Sequence, residues 1–221
     1  MKLMTRAAVK LLAGLAAMSL LLFLPAGTWR WPGAWRLLAL LFIPMPIVGL
    51  VLYRNAPELL KKRLNSRETE PEQKKVVLLS VLIFVAGFVL AGLDFRFSWT
   101  PLPLPVVLLG CVLFCGAFGL YAEVLRENAY LSRRVEVQEG QKVIDTGLYA
   151  VVRHPMYAAV TVLFLSMPLV LGSAIALLPF LFVPAVLVKR IKNEEAVLEE
   201  GLPGYRAYQK KVRYRLLPFL W

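Results

Sequence analysis

The chain has 221 residues, of which 59% are hydrophobic and 18% charged, and its formal net charge is +12. Soluble globular domains average about 45–50% apolar and about 25% charged residues, so this composition excludes an ordinary soluble protein. The apolar residues fall into runs long enough to cross a bilayer, which takes about 20 residues per helix. The fold class expected is an all-α membrane protein, a polytopic bundle forming one membrane domain over 1–221.

Six apolar segments are predicted, at 7–25, 33–53, 76–93, 104–125, 155–172 and 174–188. The first follows the basic stretch MKLMTRAAVK and could be mistaken for a signal peptide, but its apolar run continues to Pro25 with no A-x-A-like cleavage site. It is read as a retained helix, which makes six transmembrane helices, or five if it is not counted. Between the second and third segments, RNAPELLKKRLNSRETEPEQKK reads as a short amphipathic surface helix followed by a polar link. Cys111 and Cys115 lie four apart in the fourth segment and read as small packing residues. With a single histidine in the chain, no zinc set can be assembled, so no metal is expected.

The longest connection, 126–153, alternates around Val135, Val137, Val143 and Ile144 and then reaches a Thr-Gly turn. The fifth and sixth segments, joined only by Ser173, predict a tight hairpin interrupted by Pro168, Pro179 and Pro184. Proline frees backbone groups that lipid cannot satisfy, so these segments are expected to face other helices or a cavity. The sixth helix continues out of the membrane through KRIKNEEAVLEE, and Gly201 is expected to end it. The tail mixes Tyr205, Tyr208, Tyr214, Phe219 and Trp221 with Lys and Arg and reads as an interfacial segment.

If the connections alternate sides, one side holds Arg30, Arg36 and Arg96, and the other holds every other Lys and Arg, Arg67 and Arg133 included. By the positive-inside rule both termini are cytoplasmic. The basic excess is thus a topology signal, aided by anionic lipid headgroups, and no nucleic-acid partner is expected. Short outer loops and the lack of any N-x-S/T site point to a bacterial inner membrane.

The hairpin brings the start of the fifth segment beside the exit of the sixth, so His154 and Tyr157 should meet Arg190 and Glu194. Taken singly, each has a plain explanation. Arg190 and Glu194 share a helix face and could form an ordinary surface pair worth about 0.3–0.5 kcal/mol. His154 could cap a helix that begins at Pro155, and Tyr149 and Tyr157 could be interfacial anchors. Their coincidence around one hairpin favours a shared site.

The ordered set G-x-Y-x-x-x-R-H-P-x-Y, an apolar hairpin, R-x-x-x-E-E and G-x-x-Y-x-x-Y near a terminal L-P-F resembles the isoprenylcysteine carboxyl methyltransferase family. It is also similar to the wider group of membrane phospholipid methyltransferases. The likeness spans about 135–221. The apolar segments place four N-terminal helices in 1–125, and the resemblance implies that 126–221 forms a methyltransferase core with a cytoplasmic S-adenosylmethionine site. No G-x-G-x-x-G stands between a strand and a helix, so a Rossmann domain is not expected. Carried over residue by residue, the resemblance implies cofactor contacts from Val143, Ile144, Tyr149, His154, Tyr157 and Glu194. It implies a catalytic, substrate-holding role for Arg190, and Glu195 is placed with it on the substrate side. The eukaryotic enzymes carry a His where Gln141 falls, a departure from the pattern at that contact.

These residue types suit the implied chemistry. Glu194 can accept hydrogen bonds from an amine or hydroxyls, the tyrosine rings can flank a sulfonium, and His154 can offer a ring donor. A carboxylate acceptor needs no base, and Arg190 could hold it bidentately. An amine acceptor such as phosphatidylethanolamine must lose a proton, for which Glu195 or His154 is the candidate. Carboxyl O-methylation of an isoprenylcysteine-like or other lipid carboxylate is therefore favoured. Phospholipid N-methylation is the alternative, with an NADPH-dependent sterol-type reductase using Lys189, Arg190 or Lys192 further behind. The partners expected are membrane lipids and a lipophilic small-molecule or prenylated substrate entering from the bilayer.

Overall fold

The computed structural model describes residues 2–65, 71–132 and 134–221, so Arg67 and Arg133 lie outside the described residues. Among the described residues the chain is helical, with no strand and a single isolated antiparallel bridge between Pro101 and Ser173. In chain order the helices are α1 (Lys2–Ala26), α2 (Pro32–Phe42), α3 (Pro44–Asn55), α4 (Pro57–Leu64) and α5 (Pro71–Phe97). They continue with α6 (Leu104–Glu127), α7 (Pro155–Leu171), α8 (Leu177–Phe180), α9 (Val183–Gly201) and α10 (Tyr205–Lys211). A four-residue 3-10 turn, Gly147–Ala150, precedes α7.

Four stretches are long and apolar enough to cross a membrane: Leu3–Ala26, Pro32–Asn55, Gln73–Phe97 and Leu104–Glu127. The chain is a polytopic helical membrane protein. The second span departs from the single helix expected at 33–53: it breaks at Ile43, between α2 and α3. Pro44 and Pro46 bring no N–H to the carbonyls of Leu40 and Phe42, so the ladder is interrupted there. The fifth segment, α7, has 17 residues; at 1.5 Å per residue it covers about 26 Å, just short of a hydrocarbon core of about 30 Å. The sixth segment is interrupted, as expected from its prolines. Pro179 and Pro184 split it into the one-turn α8 and the long α9, which runs out past the apolar stretch to Gly201. The bundle therefore holds four full-length spans, the shorter α7 and a broken sixth segment.

Helix α7 packs along α6, and α5 packs along α1. Both approaches are close because glycine lies at the contact. A Cβ on Gly110 would stand 2.5 Å from Leu169 Cβ, and one on Gly92 would stand 2.9 Å from the Leu22 carbonyl oxygen. The core includes Trp31, Leu37, Phe114, Phe180 and Ile191, all fully buried. Large side chains left exposed on the outer faces of α1, α5 and α6, such as Leu24, Leu78 and Val112, are apolar, as a lipid-facing surface requires.

At the end of the bundle away from the termini, a buried carboxylate organises the hairpin tip. Asp94 Oδ1 accepts the Thr100 N–H at 2.6 Å, and its Oδ2 accepts the hydroxyls of Thr100 at 2.9 Å and Ser173 at 2.5 Å. The Leu102 N–H then donates to the Gly172 carbonyl at 2.9 Å and the Ala174 N–H to the Thr100 carbonyl at 3.1 Å, which stitches the 98–103 loop to the α7–α8 turn. Gly172 takes φ +82 as the left-handed cap of α7. At the opposite end α4 presents Leu59 to a small core with Val124, Leu125, Leu131 and Tyr149. Its polar face grips the long connection. Lys62 Nζ donates to Gln138 Oε1 at 2.5 Å, and Arg63 donates to the Tyr121 hydroxyl and, at 3.4 Å, to the Ser132 carbonyl.

Asp94→Ala leaves three donors unpaired at a site 2% exposed, and hydrogen bonds to a charged group contribute about 1.5–3 kcal/mol each. The expected outcome is a destabilisation of about 2–4 kcal/mol, read as a lower unfolding temperature in detergent, with any binding at the opposite end retained.

Candidate active site

The folded-back α7–α9 pair does bring the start of the fifth segment to the exit of the sixth. The local chain path into α7 is set by three features. The Glu127 carboxylate at the end of α6 accepts the Leu148 N–H at 3.0 and 3.2 Å, which holds the 3-10 turn against the helix. Gly147 takes φ +53, and a Cβ there would collide with that carboxylate, so the Thr-Gly turn admits no larger residue. Arg153 and His154 then run beside the tail, their N–H groups donating to the carbonyls of Tyr214 and Arg215 at 2.9 Å each. Pro155 opens α7 without an N–H to lose.

His154 occupies the N-cap position of α7, yet its side chain makes no cap bond. Its Nε2 lies 3.2 Å from Glu195 Oε1. The same oxygen accepts Arg153 Nε at 2.8 Å, and Glu195 Oε2 accepts Arg215 Nε at 2.7 Å. Arg153 also reaches the carbonyls of Val212 and Arg213 through Nη1, at 2.8 Å each. Burial alone would raise the Glu195 carboxyl, but the hydrogen bonds from His154, Arg153 and Arg215 outweigh it and hold the group at about 2. An ionised carboxylate only accepts, so the ring hydrogen of His154 sits on Nε2. Glu195, expected on the substrate side, is instead 3% exposed and turned into this cluster. It is not among the residues lining the cavity described next.

That cavity opens between the 128–154 connection, α7, α9 and α10 and measures roughly 820 Å³ counted to its open mouth. All six residues expected to touch a cofactor line it: Val143, Ile144, Tyr149, His154, Tyr157 and Glu194. Gln141 lines it too, with its Oε1 held by the Gln138 N–H at 2.9 Å. Tyr149 is positioned from both ends. Its hydroxyl accepts Asn128 Nδ2 at 2.9 Å, and its carbonyl accepts the Tyr208 hydroxyl at 2.7 Å. Burial pushes the Tyr149 phenol up to about 12, so it stays neutral at physiological pH.

Arg190 does not line the cavity but is joined to it. Its Nε donates to the Tyr157 hydroxyl at 2.9 Å, and that hydroxyl donates to Glu194 Oε2 at 2.5 Å. The expected Arg190–Glu194 pair is therefore bridged by the Tyr157 phenol rather than closed directly. Gln73 Nε2 on α5 donates to the Arg190 carbonyl at 3.5 Å.

Several lining residues escape the sequence reading. Asn128 and Tyr130 lie upstream of the recognisable motifs. Arg153 belongs to the R-H-P motif, whose pairing with the second acid of E-E was the available signal. Tyr205 and Tyr208, both buried, were read as interfacial but form the cavity's far wall. Gly201, expected to end α9, is its last helical residue and not left-handed; Val137 packs within 2.9 Å of where its Cβ would be. The left-handed turn comes at Gly204, with φ +85.

Relative to an ordinary carboxyl at 4.5, the depressed Glu195 stabilises the fold fully above that value and loses its contribution as pH falls through about 2. Glu195→Gln is expected to unfold about 3–5 kcal/mol more easily at pH 7, because Arg153 and Arg215 lose their buried counter-charge. A pH series of unfolding temperatures should show wild-type stability falling between pH 4.5 and 2, with that component absent from the variant.

Residues 108–200 match the model of the isoprenylcysteine carboxyl methyltransferase (ICMT) family. No curated protein matches the chain. The match covers α6, the long connection, α7, α8 and nearly all of α9, and thus the greater part of the cavity wall. The part of this four-span helical membrane bundle that carries most of the cavity wall is thus similar to the isoprenylcysteine carboxyl methyltransferase family.

Proposed function

We propose that the protein is an S-adenosylmethionine-dependent enzyme that O-methylates the carboxylate of a lipophilic molecule, an isoprenylcysteine-like or other lipid carboxylate. In this reading residues 126–221 form the catalytic core, and both termini face the cytoplasm. The observation that carries it is the Tyr157 phenol, which links a cavity-facing acid, Glu194, to a cation one helical turn nearer the membrane, Arg190. Four residues along α9 is about 6 Å, so Glu194 can serve a cofactor in the cavity while Arg190, which does not line it, holds the acceptor on the other side of the Tyr157 phenol.

The cavity suits the cofactor. Glu194 offers a carboxylate to an amine or to ribose hydroxyls, the rings of Tyr149 and Tyr157 offer electron-rich faces to a sulfonium, and Val143, Ile144 and Leu198 give an apolar wall for a base. S-adenosylmethionine, when bound, supplies a methyl group already activated by the sulfonium it leaves. The protein's part is then to place and desolvate the acceptor, and positioning can supply several kcal/mol of the barrier. Arg190 is suited to hold a carboxylate, since its planar fork matches two oxygens.

The same geometry supports a carboxylate over an amine acceptor. The bases that an amine would need, Glu195 and His154, are bound to each other inside the ion cluster, and Glu195 is also held by Arg153 and Arg215. A carboxylate needs neither.

The test is transfer of labelled methyl from S-adenosylmethionine by purified protein in lipid discs, with a farnesylated cysteine carboxylate and phosphatidylethanolamine as competing acceptors. Label on the carboxylate is expected; label on the amine alone overturns the acceptor class, and binding of NADPH without S-adenosylmethionine overturns the reading. Arg190→Ala should abolish transfer with the cofactor Kd changed less than about threefold. Glu194→Ala should raise that Kd about ten- to hundredfold, the weight of one charge-assisted hydrogen bond.

A further inference from the structure

Tyr205 opens α10 and lies beyond residues 108–200, the part that matches the family. The left-handed Gly204 before it turns the chain so that the Tyr205 ring packs against Tyr208, with centroids 5.8 Å apart, and lines the cavity with Glu194 and Leu198. The residue is 4% exposed, and its hydroxyl has no hydrogen-bond partner among the described residues.

The other phenols lining the cavity are all engaged. Tyr149 accepts from Asn128, Tyr157 donates to Glu194, Tyr208 donates to the Tyr149 carbonyl, and Tyr130 donates to the Gly140 carbonyl. A buried hydroxyl left without a partner costs about 1–3 kcal/mol. Phenylalanine would fill the same space without that cost, so the hydroxyl calls for a use. Burial, and next the charges of Glu195 and Glu194, push this phenol well above its ordinary value, which keeps it a neutral O–H donor. Glu194 is already taking the hydrogen of Tyr157, and both Glu195 oxygens are occupied.

We infer that the Tyr205 hydroxyl is a ligand contact, donating a hydrogen bond to an acceptor atom of the nucleoside or amino-acid part of S-adenosylmethionine. This rests on the methyltransferase reading above and adds a residue to it. Tyr205 is a binding residue in this role; it holds the cofactor and leaves the chemistry to the Arg190 side.

The test compares Tyr205→Phe with wild type in two measurements, unfolding temperature without ligand and S-adenosylmethionine affinity by calorimetry. The variant is expected to unfold at the same or a higher temperature, because it removes an unpaired buried group, while its Kd rises about tenfold. Tyr208→Phe is the control. Its hydroxyl has a structural partner, so the unfolding temperature should drop. A lower unfolding temperature for Tyr205→Phe, or an unchanged Kd, overturns the inference. Failure of the wild type to bind at all would overturn the cofactor reading itself, and this contact with it. Repeating the titration with methylthioadenosine, which lacks the amino-acid part, locates the contact: an equal loss points to the nucleoside end, and no loss points to the amino-acid end.

Discussion

The end of this protein that carries the cavity is organised by one carboxylate. Glu195 is ionised and nearly sealed from water, and it is shared by Arg153, His154 and Arg215. Those three residues come from the entry to α7 and from the C-terminal tail, so a single side chain on α9 ties three chain segments together. Removing a charge from water is costly, and that cost is offset only when the remaining lone pairs are filled. Here both oxygens are. The cluster also orients the cavity wall: with Glu195 fixed inward, Glu194 is presented to the cavity and the ring of His154 is held at its rim.

That arrangement explains why two adjacent acids have different fates. Successive residues on a helix point about 100° apart, so Glu194 and Glu195 cannot face the same environment. From the sequence, both stand beside Arg190 and both are candidates for the site. What decides between them is the position of Arg153 and Arg215, which are 42 and 20 residues away from Glu195 along the chain. No local pattern carries that information. The hairpin itself was legible, because a one-residue connection between two apolar segments leaves little choice of topology. The meeting of Tyr157 with Glu194 and Arg190 followed from it, whereas His154, expected beside Glu194, bonds Glu195 instead.

Elsewhere the sequence was most informative where covalent structure dictates geometry and least where packing does. The prolines of the sixth segment were visible, but not whether they would bend a helix or split it; Pro179 and Pro184 split it. Gly201 does end α9, though as its last helical residue rather than as a left-handed cap; its lack of a side chain serves the approach of Val137, and the left-handed turn comes at Gly204. The aromatic tail shows the strongest mismatch. Tyr205 and Tyr208 have the composition of a membrane-surface segment, while tertiary packing buries them in the cavity wall.

The grip of α4 on the long connection has a consequence for how the protein can be divided. Lys62 and Arg63 hold Gln138, Ser132 and Tyr121, and Leu59 packs beneath Tyr149. One side of the cavity is thus buttressed by residues that precede the region in which the family is recognisable. A fragment beginning at α6 would keep every motif and lose this buttress. The family match and mechanical self-sufficiency therefore have different boundaries in this chain, and the N-terminal spans are scaffolding for the C-terminal half as well as its anchor.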